Sequence, residues 1–166
     1  MLRDDVSAEL KDAMRAKNTV KTATLRLILA AIKDRDIAAR TDGVFEGIGE
    51  DEVLKVLQTM VKQRRESIKM YEQGNRPELA AQEAQEIAII QSFLPEQMDD
   101  QEIEAAVTAV IKEIEANSLK DMGTSMGLLR ERYSGRMDFG KASAILKSVL
   151  IGWILFNIAL YWFAGK

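Results

Sequence analysis

The sequence predicts an all-α protein, with a four-helix N-terminal domain (residues 1–96), a three-helix domain (97–152) and an extra apolar C-terminal helix (153–166). Three observations predict this. Ala, Leu, Glu, Lys, Gln and Met dominate long stretches, so local propensity favours helix nearly everywhere. Only two prolines and ten glycines interrupt 166 residues. Phe93-Leu94-Pro95-Glu96-Gln97-Met98-Asp99-Asp100 combines a proline, a stop and a fresh cap. Leu94 precedes a proline and is pushed out of the α region, and Pro95 lacks an N–H, so one helix ends there. Asp99 and Asp100 then offer cap oxygens to an acidic first turn, so another begins at once. Leu94 and Pro95 are the expected interdomain joint.

Val6, Leu10, Ala13 and Met14 recur at helical spacing and predict a first helix from Arg3 to Lys17. Asn18-Thr19 breaks the chain. A second helix follows, with Leu25, Ile28, Leu29 and Ile32 on one side and Lys21, Arg26, Lys33 and Arg35 on the other. Arg40 to Glu50 holds Gly43, Gly47 and Gly49 among few periodic apolar residues and reads as a loop. Gly47-Ile48-Gly49 is only a fragment of a phosphate loop, without the strand, third glycine or Lys-Ser/Thr that give such loops meaning.

Asp51 and Glu52 open a third helix that ends at Gly74. It carries the densest basic run, Lys62-Gln63-Arg64-Arg65-Glu66-Ser67-Ile68-Lys69, in which Lys62, Arg65 and Lys69 share a face suited to tracking phosphates. A solvated helix face is the plainer reading of the same residues. Pro77 starts a fourth helix, whose seam runs through Leu79, Ala80, Glu83, Ile87, Ile90 and Leu94.

Beyond the joint, Ile103, Ala106, Val107, Val110, Ile111 and Ile114 predict a fifth helix that Asn117-Ser118 breaks. Ser118-Leu119-Lys120-Asp121 has the form of a capping box. The sixth helix carries Gly123 and Gly127 one turn apart, each costing ~1 kcal/mol against alanine, so they need a compensating reason. Close approach of a neighbouring helix backbone is the preferred reading, and an opening for a ligand or RNA backbone is the alternative. Gly135 stops this helix, Asp138 caps the next, and Lys141, Ala144, Ile145 and Leu146 begin the seventh.

The absence of cysteine and histidine excludes disulfides, thiolate nucleophiles, histidine acid–base catalysis and the usual zinc, copper and haem ligands. No catalytic residue, cofactor or metal is therefore expected. The cysteine-free composition accords with a cytoplasmic setting, and Met1-Leu2-Arg3-Asp4-Asp5 has no apolar core of signal-peptide length. A net charge of −3 exerts no global pull on nucleic acid, so any such binding needs local patches.

Thr24-Leu25-Arg26-Leu27-Ile28, Val61-Lys62-Gln63-Arg64-Arg65-Glu66-Ser67, Gly74-Asn75-Arg76-Pro77-Glu78-Leu79, Phe93-Leu94-Pro95-Glu96-Gln97 and Lys120-Asp121-Met122-Gly123-Thr124-Ser125-Met126-Gly127 follow one another in the sequence. In that order these motifs resemble the GatB/YqeY family of small bacterial proteins. The resemblance covers roughly residues 1 to 152 and implies that the second domain is similar to the tail of the B subunit of tRNA-dependent amidotransferases. It further implies a tRNA-associated accessory module, with tRNA as partner and an amidotransferase or aminoacyl-tRNA synthetase as protein partner. The family label, carbon–nitrogen ligase with glutamine as amido-N-donor, belongs to the large enzyme. This chain has no nucleotide loop, nucleophile or ammonia-generating constellation, so a binding module is expected rather than a catalyst. An amide-transfer enzyme using a carboxylate, Lys or Tyr is the competing reading. The candidate RNA contacts are Lys62, Arg64, Arg65 and Lys69 in the first domain and Lys120, Arg130, Arg132, Arg136 and Lys141 in the second.

Relatives of this kind end near Leu150 to Gly152, whereas this sequence continues. Ser148 to Gly165 is apolar apart from Ser148 and Asn157, is flanked by Lys147 and Lys166, and places Trp153, Tyr161 and Trp162 toward its ends. Its 18 residues reach about 27 Å as a helix, the short end of a bilayer span. Val149 to Ala164 is thus a candidate anchor to the inner membrane, making the chain a membrane-tethered protein-interaction adaptor without RNA binding as an alternative function. Packing on the helical domains or a second subunit, and an incidental extension, are the other readings.

Overall fold

The computed structural model describes the backbone of residues 1–164 and the side chains of residues 1–152. Its α-helices are α1 (Leu2–Arg15), α2 (Thr19–Ala39), α3 (Glu50–Gln73), α4 (Pro77–Gln91), α5 (Asp100–Glu113), α6 (Met122–Tyr133) and α7 (Phe139–Ala164), and no strand occurs among the described residues. The chain divides into two compact units, Met1–Pro95 and a second beginning at Glu96.

In the first unit α3 and α4 form a hairpin, α1 packs on α2, and α2 packs on α4. Apolar residues at helical spacing meet in one core: Val6 of α1, Leu25, Ile28 and Ile32 of α2, Leu57 of α3 and Ile90 of α4 are all at most 2% exposed. Phe93 and Leu94 pack against this core just before Pro95. Residues that are not glycine end several helices. Lys17, Asn75 and Glu115 all take left-handed φ values, which adds local strain at these ends. Consequently α1 stops at Arg15, short of the expected Lys17, and α5 at Glu113, before Asn117-Ser118.

The break expected at Asn18-Thr19 is a helix cap, in which the Asn18 side chain accepts from the Lys21 N–H, and Pro77 occupies the first turn of α4 as expected. Asp99 and Glu102 form a reciprocal capping box, as do Ser118 and Asp121. Asp138 accepts from the amides of Gly140 and Lys141. Such caps satisfy the orphan N–H groups of a helix start and contribute about 1 kcal/mol each.

The second unit is a three-helix assembly of α5, α6 and α7, with a single 3-10 turn at Leu119–Asp121 leading into α6. Ile103, Val107, Leu129, Met137, Leu146 and Leu150 are among its fully buried apolar residues. The Met98 N–H donates to the Arg136 carbonyl, and the Gln97 amide to the Gly135 carbonyl. These bonds tie the segment before α5 to the α6–α7 turn, where Gly135 takes a φ of +74°. The seventh helix buries Ala142, Leu146 and Leu150, while Ala144 is exposed.

The apolar extension is not a separate helix, because α7 runs unbroken from Phe139 to Ala164. Among the described residues no helix is long and apolar enough to cross a membrane. The side chains of the proposed anchor beyond Gly152 lie outside the described residues.

Candidate nucleic-acid interface

On α6, Ser125, Met126 and Leu129 form the buried side, and Gly123, Gly127 and Arg130 are exposed. At 100° per residue these three, at i, i+4 and i+7, share one face. The close helix contact expected at the glycines does not occur. A Cβ added at either Gly123 or Gly127 meets no atom within 4 Å. The pair instead bares helix backbone to solvent, with Arg130 one turn further on and Lys120 three residues before Gly123. Both cations are exposed, and neither has an ion-pair partner among the described residues.

The open glycine face leads to a stability prediction. Gly123→Ala and Gly127→Ala should each stabilise the second unit by about 0.5–1 kcal/mol, since the methyl is unobstructed and helix propensity improves. Urea denaturation checks this. A loss of stability would mean that the glycines meet a neighbour.

The remaining second-unit candidates are committed within the protein. Arg132 makes a bidentate pair with Glu113, both contacts 2.6 Å, which raises the Arg132 pKa and lowers that of Glu113. Arg136 donates through Nε to the Glu96 carbonyl, and Lys141 pairs with Asp100 at 2.5 Å. All three remain exposed, so their charge still contributes to the local potential. Tyr133, an aromatic on α6 that could stack on a base, is half-buried against the unit's core.

In the first unit Lys62, Arg65 and Lys69 are exposed along one face of α3. Arg64 is different: it lies on the core side, with Nη2 3.0 Å from Glu86 and Nε 3.8 Å from Glu83. Its side chain is 14% exposed, so it is a structural cation. Burial pushes Glu83 above the usual carboxylate range, Glu86 adds to this, and Arg64 opposes it.

Sequence spacing also gave no sign of a second polar joint. Arg3 makes two hydrogen bonds to Asp36, at 2.6 and 2.9 Å, and Asp36 accepts from the Ile48 N–H at 2.8 Å. Partners 33 residues apart leave no local signature.

The described residues form two all-helical units, each with exposed basic side chains, and among them no group of three or more metal-ligating side chains occurs. The chain belongs to the YqeY-like protein family, whose model matches residues 3–150. Similar curated proteins come from yeasts and carry the name "Altered inheritance of mitochondria protein 41, mitochondrial". The Clavispora lusitaniae protein is 32% identical over 90% of this chain and 85% of its own length. The Vanderwaltozyma polyspora protein is 37% identical over 52% of this chain and 44% of its own length. For the Lachancea thermotolerans protein the values are 29%, 69% and 60%. The chain thus spans most of the first relative and about half of the other two. These names are mitochondrial, so they give no support to the expected bacterial cytoplasmic setting.

Proposed function

We propose that the chain is a tRNA-associated accessory module, non-catalytic by itself and linked to tRNA-dependent amidation through an amidotransferase or aminoacyl-tRNA synthetase. One observation carries the reading: the side-chain-free face at Gly123 and Gly127, flanked by the unpaired cations Lys120 and Arg130. A sugar–phosphate chain approaches an exposed helix backbone most closely where no Cβ intervenes, and Lys and Arg beside the opening neutralise phosphates. With Tyr133 packed inward, recognition is led by shape and backbone rather than base stacking. Lys62, Arg65 and Lys69 offer a further phosphate-tracking row, and Arg132, Arg136 and Lys141 add field. The cysteine-free composition suits a cytosolic compartment.

The test is tRNA binding by the full chain, titrated across salt. We expect salt-dependent binding, weakened at least tenfold by Lys120→Glu with Arg130→Glu, and a salt slope reduced by about one per lost phosphate contact. Gly127→Leu should weaken binding without loss of stability, since leucine is a better helix former than glycine. Salt-insensitive binding, or unchanged affinity in these variants, would overturn the assignment.

A second reading concerns location. Leu150 is the last buried residue described on α7, Ile151 and Gly152 are exposed, and the sequence onward is apolar apart from Asn157 up to Lys166. We propose that this run associates with a bilayer, as a tether for the RNA module or for an adaptor without RNA. Full-length protein should sediment with anionic phospholipid vesicles, and a version ending at Gly152 should not. Equal sedimentation of the two would remove the tether.

A further inference from the structure

The helix α2 is apolar on two opposite sides. Leu25, Ile28 and Ile32 face the core. Val20, Ala23, Leu27 and Ala30, at alternating three- and four-residue spacing, and Ile37, seven residues on past Asp34, form a second stripe on the solvent side. Val20 is 38% exposed, and Leu27 and Ile37 are each 50% exposed. The stripe covers about 25 Å of helix. The apolar surface continues into the following turn, where Val44 and Phe45 are exposed and the Val44 N–H is held by the Ala39 carbonyl.

One flank of the stripe is uniformly basic. Arg26, Lys33 and Arg40 recur every seven residues, all are exposed, and none has an ion-pair partner among the described residues. The opposite flank carries Ala31 and Ala38, with a single cation, Arg35, beside them. This is the arrangement of a helix-pairing seam with one charged edge. From it we infer that the outer face of α2 docks an amphipathic helix of another protein, one with an apolar seam and an acidic edge.

Charge decides the occupant. In an antiparallel pair with a second copy, the basic row would face itself, Lys33 against Lys33 and Arg26 against Arg40. A parallel pair would set that row against Ala31 and Ala38, leaving it uncompensated. A bilayer fits less well, because Asp34 stands within the stripe and a carboxylate in hydrocarbon is costly. An acidic edge on the partner compensates all three cations, and a single lysine in its seam answers Asp34.

The experiment titrates the full chain with two synthetic helical peptides of about 20 residues, enough to match the stripe. Both share a Leu/Ala seam with one lysine, and one has Glu and the other Lys at the edge positions. The Glu-edged peptide should bind at least tenfold more tightly, and high salt should weaken it. Leu27→Asp should weaken that binding at least tenfold, as should the combination Arg26→Glu, Lys33→Glu and Arg40→Glu. All these sites are solvent-exposed, and circular dichroism confirms that each variant is folded. Equal binding of the two peptides, no binding, or indifference to Leu27→Asp would overturn the inference. So would a dimer that Leu27→Asp dissociates, or tRNA binding that Leu27→Asp abolishes. The α6 variants Lys120→Glu and Arg130→Glu should leave peptide binding unchanged, so this surface and the tRNA reading fail separately.

Discussion

Replacing Arg64 with alanine is expected to destabilise the first unit by about 2–3 kcal/mol at neutral pH, because it strands two carboxylates that the α3–α4 hairpin holds away from water. Exposures of 14% for Arg64 and Glu86 and 22% for Glu83 keep solvent from screening most of this loss. The pH dependence has a definite sign. Burial raises the Glu83 pKa, Glu86 reinforces the rise, and Arg64 opposes it. A carboxyl with a raised folded pKa opposes folding when ionised, a cost fully present above that pKa and absent below the unfolded value. Removing Arg64 removes the opposing influence and enlarges the cost. Arg64→Ala should therefore recover stability relative to the parent as pH falls through the carboxylate range, and adding Glu83→Gln should restore part of the loss at neutral pH. Urea midpoints for parent and variants between pH 7 and pH 4 supply the check. A pH-independent difference would mean that Arg64 acts through packing alone.

The same residue shows where sequence reading reaches its limit. Arg64 sits inside a basic run, and Glu83 interrupts an otherwise apolar seam on α4. Each was visible separately, as a candidate phosphate contact and as a seam residue, but only the hairpin brings them together. Local signals were legible because their partners are neighbours: the Asp99–Glu102 and Ser118–Asp121 boxes and the Pro77 start need only a few residues of context. Gly123 and Gly127 were visible, but their meaning depended on phase. A glycine pair has the same spacing whether it admits a neighbouring helix or faces solvent, and its offset from Met126 and Leu129 settles the matter. The outer stripe of α2 has a sequence signal as well, since Val20, Ala23, Leu27 and Ala30 recur at three- and four-residue steps on the side opposite Leu25 and Ile28.

Asp36→Ala is expected to cost about 2 kcal/mol at neutral pH, because one carboxylate satisfies both the Arg3 guanidinium and the Ile48 amide. Arg3 is 36% exposed, so water compensates part of its loss and keeps the figure below that of a fully buried pair. The Ile48 N–H loses its acceptor in the same variant, and its hydrogen exchange should accelerate with the substitution. Hydrogen bonding from Arg3 lowers the Asp36 pKa, burial opposes this, and the Ile48 amide lowers it further. A carboxylate with a depressed folded pKa stabilises the fold above its unfolded value and loses that contribution as pH falls through the folded one. The gap between parent and Asp36→Ala should thus be full above the ordinary carboxylate range and narrow on acidification, because Asp36 loses a favourable contribution there, whereas Glu83 sheds an unfavourable one. Gly47→Ala probes the same joint from the other side. Gly47 holds a φ of +94°, and a Cβ there would lie 3.1 Å from Asp36 Oδ1 and 3.4 Å from the Arg3 guanidinium. Backbone strain and crowding then act together, for an expected loss of about 1–2 kcal/mol. In the Asp36→Ala background the crowding is relieved and only the strain remains. The two substitutions should therefore cost less together than their sum, a coupling that a double-mutant cycle measures directly.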